Sequence, residues 1–332
     1  MATKPNRHVK YKNASTSTAS RRRATTSPAD SDDVANVYKH ICKVEYSHTI
    51  DRGVLHQLRL GVLRIDVDLC SVHELQIFKG FFSRLPKIGQ LCIAKNQVPT
   101  TALKQCPKRP NVVYGSTATY QIKQSRINAL KKAIQGTLHL VCRLLSTPRQ
   151  CRLVSLALPG MHLTEATVSN FESAFKACTT LREIDFRDQD LSRPTVAERV
   201  IRAIASSSTV QAVCLKRCKL GSRSARYVGH LLRKNNERRE QLIWKGELRG
   251  EAVSKQAIRL QGLMVLDVSS NNFGPDGTQE ILEVLENDRW MVGLNLACRE
   301  ENDPKTLKHF RRCFKVNRES PSSCELMCPH GL

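Results

Sequence analysis

Four stretches of this 332-residue chain repeat one pattern: LVSLALPGMHL at 153–163, LREIDFRDQDL at 181–191, VQAVCLKRCKL at 210–220 and LMVLDVSSNNF at 263–273. In each stretch, apolar residues occupy the first, fourth, sixth and eleventh positions. The alternating fourth and sixth positions, such as Leu156 and Leu158, predict a short strand with one buried face. Successive stretches begin 28, 29 and 53 residues apart. Four copies in one register indicate a repeat protein.

The spacing matches the leucine-rich-repeat template L-x-x-L-x-L-x-x-N/C-x-L. A fifth, partial copy follows at Met291, Leu294 and Leu296. Two weaker copies come first, at a step of 26, with matching residues Val62, Ile65, Val67, Cys70 and Val72, then Ile88, Leu91, Ile93, Asn96 and Val98. The sequence therefore predicts seven strands with two interruptions.

The segments between the strands carry helical spacing, as at Val168, Phe171 and Phe175. A repeat of 26 to 29 residues leaves room for a full helix beside each strand. The fold class that we predict is α/β: a leucine-rich-repeat solenoid of the ribonuclease-inhibitor-like horseshoe type, with parallel strands on the concave face and helices on the convex face. At the turn after each strand, a residue such as Cys218 or Asn271 is expected to satisfy backbone groups.

Composition divides the chain into three parts. Residues 1–37 are rich in Ser, Thr, Lys and Arg and lack Leu, Ile and Phe, which predicts a disordered basic tail. Residues 38–300 hold the leucine-rich-repeat domain, with insertions predicted at about 99–150 and 233–262. Residues 301–332 are a Cys-containing C-terminal tail.

The chain is strongly basic. It has 53 Lys and Arg against 30 Asp and Glu, a formal net charge of +23, which favours acidic partners. Its 13 cysteines are odd in number and show no paired spacings, which favours a reducing compartment. The N-terminus has no apolar signal segment, and no stretch is long and apolar enough to predict a membrane span.

The sequence contains no recognisable catalytic pattern. The histidines do not converge with Ser, Asp or Cys, and neither a Gly-rich phosphate loop nor H-E-x-x-H occurs. Cys313, Cys324, Cys328 and His330 could supply four zinc ligands, but separations of 11, 4 and 2 match no common zinc finger. We therefore predict a non-enzymatic protein with no cofactor, no small-molecule substrate and, on these spacings, no metal site.

Several motifs between residues 38 and 300 go beyond the repeat template. They are Tyr38-x-x-Ile41-Cys42, Leu58-Arg59-Leu60-Gly61-Val62-Leu63, Phe81-Phe82, and Arg238-Arg239 with Trp244 and Glu247-Leu248-Arg249 in the second insertion. In these motifs the chain resembles the repeat domain of the centrosomal protein of 78 kDa family. The resemblance implies a cytoskeletal protein of the centrosome or basal body that acts in cilium assembly. It also implies recruitment of proteins, including ubiquitin-ligase assemblies.

Two surfaces are predicted to bind protein partners. On the concave face, residues flanking the inward pair must point outward because strand side chains alternate. The alternation predicts a column of Asp66, Cys92, Ala157, Asp185, Cys214, Asp267 and Asn295, with three acids and no base, beside Glu183, Arg187 and Lys216. The second surface is the insertion, represented by Arg238, Arg239, Trp244 and Arg249. An exposed Trp beside Arg is a typical interface anchor; a Trp244 packed onto the edge of the array is the alternative.

We expect a protein-binding scaffold of the centrosome, centriole or cilium basal body, with centriolar or ubiquitin-ligase components as partners. One alternative is a nucleic-acid-associated protein, which the charge favours and the aromatic content of 5% disfavours. Another is an enzyme regulator such as a GTPase activator, which would expose an Arg for a nucleotide site.

Overall fold

The computed structural model describes residues 28–68, 70–95, 117–251 and 253–296. Seven strands form one sheet in sequential order, and every neighbouring pair is parallel. The strands are β1 Val62–Asp66, β2 Gln90–Ala94, β3 Ser155–Ala157, β4 Glu183–Asp185, β5 Ala212–Cys214, β6 Val265–Asp267 and β7 Gly293–Asn295. For the described residues, the α/β class, the parallel pairing and the number of strands are those predicted.

Helices connect the strands, since parallel neighbours require a crossover. Two helices precede β1, α1 Pro28–His40 and α2 Arg52–Arg59. The connecting helices are α3 Val72–Ser83, α4 Thr117–Leu145, α5 Glu165–Ala177, α6 Pro194–Ser206, α7 Ala225–Leu248, α8 Lys255–Arg259 and α9 Gly274–Glu286. A π-helical turn, Ile41–Glu45, follows α1, and a 3-10 turn, Ser222–Ser224, precedes α7. The sequential strand order is consistent with a solenoid-like α/β fold.

A hydrophobic core lies between the sheet and the helices. The Phe186 ring, just after β4, has its centroid 5.9 Å from that of Phe171 and 6.3 Å from that of Phe175, both on α5. The Thr164 hydroxyl caps α5 by accepting the Thr167 backbone N–H at 3.3 Å. The strand residues predicted to form this core are all buried, namely Leu156, Leu158, Ile184, Phe186, Val213, Leu215, Leu266 and Val268.

The register of β1 differs from the predicted one by two residues. The repeat alignment places Ile65 beside Leu91, whereas in the structure Leu63 pairs with Leu91 and Ile65 with Ile93. Strand side chains alternate with a period of two, so a slip of two residues keeps the same side chains buried. The apolar pattern of β1 therefore could not reveal the slip.

The folded part of the chain begins earlier than predicted. Helix α1 begins at Pro28, inside the segment 1–37 predicted to be a tail, and Val34 and Ala35 belong to the same buried core as Tyr38. These three apolar residues lie on one side of a helix, a local pattern that the polar composition of the whole segment concealed. Predictions for residues 1–27, 99–116 and 301–332 fall outside the described residues.

Candidate functional site

We call the face of the sheet turned away from the helices the open sheet face. Strand pairing aligns one residue of each strand in a central column, which consists of Arg64, Cys92, Ala157, Asp185, Cys214, Asp267 and Asn295. The column differs from the predicted one at β1, where Arg64 takes the place of Asp66. Asp66 pairs with Ala94 in the next row. The predicted column of three acids and no base is therefore wrong, because it contains two acids and one base.

Asp185 and Arg187 form an ion pair at the middle of the open sheet face. The Arg187 Nε–H donates to both carboxylate oxygens, at 2.7 Å and 3.0 Å, and the Arg187 backbone N–H donates to Oδ1 at 3.0 Å. This pairing raises the pKa of Arg187 above its usual range, against the opposing effect of burial. Both side chains are half-buried, so a partner would meet a neutral pair with fixed geometry.

Asp267 is not available to a partner, contrary to the prediction. Only 5% of the residue is exposed, and its Oδ1 accepts the Ser269 backbone N–H at 2.9 Å. Asp185 makes the same bond to the N–H two residues ahead. An Asp at the end of a strand thus stabilises the turn that follows, a local role that Asp residues often have. At Asp267 this structural role replaces the predicted role in binding.

The remaining predicted residues of the open sheet face are half-buried. Glu183 and Lys216 flank the central column, and Asn295 ends it at β7. Asp66 lies 3.8 Å from the Arg64 guanidinium, which neutralises it in part. The face is therefore polar and mixed in charge from β1 to β5.

The turns after the strands are joined across neighbouring units by side-chain hydrogen bonds. Gln189 donates to the Leu158 carbonyl, and the Cys218 thiol donates to the Phe186 carbonyl at 3.1 Å. Asn271 continues the series by donating to the Leu215 carbonyl at 2.9 Å and to the Val268 carbonyl at 2.8 Å, and by accepting the Cys218 and Leu220 N–H groups at 2.9 Å and 3.0 Å. The predicted role of this slot is confirmed at Cys218 and Asn271.

Two ion pairs that the sequence analysis missed join the same turns on the surface. The Arg217 guanidinium donates to both Asp188 oxygens, at 2.7 Å and 3.0 Å, and Lys219 donates to Asp190 at 2.9 Å. Both pairs span 29 residues, the repeat step. Opposite charges one repeat step apart in the sequence are the signal that could have revealed these ion pairs.

Arg239, predicted to bind a partner, is instead completely buried, with 0% exposure. Its Nη2 donates to the Gly262 and Leu263 carbonyls at 3.0 Å and 2.8 Å, and its guanidinium carbon lies 5.8 Å from the centroid of the Trp290 ring. Burial lowers its pKa to about 10, so it remains charged at neutral pH. The prediction for Arg239 is wrong because this cation anchors α7 to the chain before β6.

Arg238 also stabilises the inside of the molecule. Its two terminal nitrogens donate to the Ser207 and Ala205 carbonyls at 2.7 Å and 2.9 Å, at the end of α6. Burial lowers the pKa of this half-buried guanidinium. The two terminal nitrogens of Arg238 therefore bind backbone carbonyls of this protein rather than a partner.

Trp244 and Arg249 lie at the far end of α7 and are exposed. Trp244 is 59% exposed, and Leu248, one helical turn later, is exposed too. The alternative of a Trp packed onto the edge of the array does not hold in the structure. The predicted insertion 233–262 thus contains the last two-thirds of α7, followed by α8.

The described part of the chain holds neither a cluster of metal ligands nor a membrane-spanning helix. No group of three His, Cys, Asp or Glu side chains there could hold a metal ion. Within the same ranges, no helix is both long and apolar enough to cross a membrane. Cys313, Cys324, Cys328 and His330 lie outside the described residues.

Comparison with known proteins assigns this chain to no family. No protein-family model matches it, and no curated protein matches it. Among 41 solved chains that match is leiomodin-1 actin-binding site 2, with a TM-score of 0.38 and 12% sequence identity over 55% of this chain and 87% of that chain. A likeness at this TM-score supports no argument about function.

Proposed function

We propose that this protein is a non-enzymatic scaffold of the leucine-rich-repeat class, a horseshoe whose concave side is the open sheet face. The observation that supports the proposal is the central column, in which strands β1 to β5 present polar or small side chains side by side. Rigid strands that hold a row of polar groups in fixed positions suit recognition of a protein surface. Glu183, Asp185, Arg187 and Lys216 are the residues that we assign to this contact.

The cellular setting that we propose is the centrosome, the centriole or the basal body of a cilium. It rests on the resemblance of the motifs at Tyr38, Phe81-Phe82 and Trp244 to the centrosomal protein of 78 kDa family, which also suggests a role as a ubiquitin-ligase adaptor. Microscopy of the tagged chain beside a centriole marker tests it. Focal overlap with the marker supports the proposal, and an even distribution through the cell contradicts it.

A charge swap tests the open sheet face. Glu183→Lys with Lys216→Glu reverses two half-buried charges and leaves the net charge unchanged. Lys176→Glu with Glu283→Lys, both on exposed helix positions, is the matched control. Proximity labelling in cells should show loss of a set of labelled proteins from the first variant and retention of that set by the control. Equal labelling by both variants would exclude the open sheet face as the binding surface.

A second candidate function is binding of nucleic acid on the helix side. No Asp or Glu occurs between Leu75 and Thr164, and α4 exposes Lys131, Lys132 and Arg143 in this acid-free segment. Basic side chains without neighbouring acids attract a phosphate backbone through release of counterions. Fluorescence anisotropy with labelled duplex RNA tests this: Lys132→Glu with Arg143→Glu should weaken binding and reduce its salt dependence. No binding by the unmodified protein at low salt would contradict it.

A further inference from the structure

Two cysteine sulfurs in neighbouring repeat units are in contact. Cys151 lies in the loop before β3 and Cys178 at the end of α5, before β4. Their Sγ atoms are 3.9 Å apart, and both residues are free thiols with exposures of 3% and 2%. A disulfide has an S–S distance of about 2.05 Å, so bond formation requires a shift of less than about 2 Å.

The surroundings of the pair make the two thiols unequal. The Cys151 and Cys178 thiols share one hydrogen bond, and the Thr180 hydroxyl oxygen lies 3.5 Å from the Cys178 sulfur. The hydrogen bond with Cys151, together with the backbone N–H groups of Thr180 and Leu181, lowers the pKa of Cys178, and the same bond raises the pKa of Cys151. One thiol is therefore suited to attack an oxidant and the other to attack the product.

The pair lies just beneath the surface, at the edge where chains enter the sheet. The neighbours Arg152 and Thr179 are exposed, and Thr180 is half-buried. Cys142, near the C-terminal end of α4, is similarly buried, with 4% exposure, but there burial raises the pKa to about 12. Because only 3% of Cys151 and 2% of Cys178 are exposed, peroxide reaches either sulfur only when one of these loops opens.

We propose that Cys151 and Cys178 form a peroxide-sensitive dithiol that closes into a disulfide between adjacent repeat units. In the first step the Cys178 thiolate attacks one peroxide oxygen. The S–O bond forms, the O–O bond breaks, hydroxide leaves, and the sulfur becomes a sulfenic acid. In the second step Cys151 attacks that sulfur, the S–S bond replaces the S–O bond, and the departing hydroxide takes the Cys151 proton to give water. One peroxide is reduced and two thiols are oxidised.

The disulfide would close a loop that contains all of β3 and α5. Closing such a loop restricts the unfolded chain and stabilises the folded one. The oxidised protein should therefore melt several degrees above the reduced protein, and dithiothreitol should reverse the change. The inference is independent of the proposed scaffold function, because it concerns the loops at the edge and not the open sheet face.

Peptide mapping of the native full chain tests the proposal. After treatment with hydrogen peroxide and blocking of remaining thiols, trypsin without reductant should yield peptides 150–152 and 177–182 joined by a disulfide. Cys178→Ser should lose the joined peptide and the rise in melting temperature, and Cys142→Ser should keep both. The proposal is overturned if the unmodified protein keeps both thiols, if Cys178 is oxidised to a sulfinic acid without linkage, or if other cysteines are joined instead. These outcomes are read from the unmodified protein, so they do not depend on the folding of any variant.

Discussion

The regular units and the interrupted unit between β5 and β6 connect neighbouring parallel strands with helices of different length. In the regular units, α5, α6 and α9 each have 13 residues. In the interrupted unit, α7 has 24 residues and the step from strand to strand is 53 residues. The pairing of Val213 with Leu266 is nevertheless the same as the pairing of Ile184 with Val213. The extra chain is thus accommodated by a longer helix, α7, and the additional helix α8, while the strand pairing is unchanged.

The two kinds of unit also differ in how the chain is fixed before the next strand. In regular units a hydroxyl suffices: Thr180 donates to the Leu153 carbonyl at 2.9 Å and Thr209 to the Leu181 carbonyl at 2.8 Å. In the interrupted unit a buried cation, Arg239, binds the corresponding carbonyl, that of Leu263, and the Gly262 carbonyl just before it. A longer segment loses more conformational entropy on ordering, and a charge-assisted bond offsets more of it than a hydroxyl does.

The first prediction removes the buried cation. Arg239→Ala should lower the free energy of unfolding by about 3–5 kcal/mol, because two buried carbonyls lose their hydrogen-bond donor and a large cavity is left. Urea denaturation measures the loss. Arg249→Ala, at the exposed end of the same helix, should change the free energy by less than about 0.5 kcal/mol. Equal effects of the two substitutions would show that Arg239 does not anchor α7.

The second prediction concerns Asn271, in the turn after β6, which is hydrogen-bonded to the turn after β5. Asn271→Ala should destabilise the protein by about 3 kcal/mol, because buried N–H groups of Cys218 and Leu220 lose their acceptor. Cys218→Ala, which removes the weaker thiol bond in the regular series, should cost about 1 kcal/mol. Thermal and urea unfolding of both variants measure the difference. A cost for Cys218→Ala as large as that for Asn271→Ala would mean that the two slots are energetically equivalent.

The third prediction tests how tightly α7 approaches the chain before β6. Gly262 has a φ of +86°, and a Cβ there would lie 2.5 Å from the Asn235 Oδ1 atom. Gly262→Ala should therefore cost about 2–3 kcal/mol, from backbone strain and steric clash together. Gly250 has a φ of +67°, and a Cβ there would meet no heavy atom within 4 Å, so Gly250→Ala should cost about 1 kcal/mol from strain alone. Urea unfolding of the two variants measures both costs, and a smaller cost at Gly262 than at Gly250 would contradict the close approach.

The regular units were predictable because each carries its own complete pattern. Apolar alternation at Leu156, Ile184 and Val213 identified the strands, and the repeat step set their register. The slip of β1 by two residues was not predictable, since the same face of the strand is buried whether Leu63 or Ile65 pairs with Leu91. The template also predicted that a small polar side chain, such as that of Asn271, forms hydrogen bonds with the backbone of the turn.

The roles of charged residues were predicted less well, because sequence spacing does not report burial. Arg239 and Asp267 belong to residue types that are exposed in most proteins, and both are buried here because backbone groups pair with them. Trp244 shows the opposite case, an aromatic side chain that is exposed in the last turns of α7. The length of α7 determines the positions of Arg239 and Trp244, and the repeat template says nothing about that length.

The last prediction concerns an exposed link between regular units and has the smallest effect. Hydrogen bonds from Lys219 and Ser192 lower the pKa of Asp190 from 3.8 to about 2. A carboxyl whose pKa is lower in the folded state stabilises the fold above its unfolded pKa, and the contribution disappears as the pH falls from about 4 through 2. Because solvent screens this pair, Asp190→Asn should cost only about 0.5 kcal/mol at pH 7 and much less at pH 2. Urea unfolding at the two pH values measures the difference. An equal cost at pH 2 would show that Asp190 stabilises the protein through its hydrogen bonds with Ser192 and not through its charge. The regular units would then be joined only by the hydrogen bonds of their buried turns.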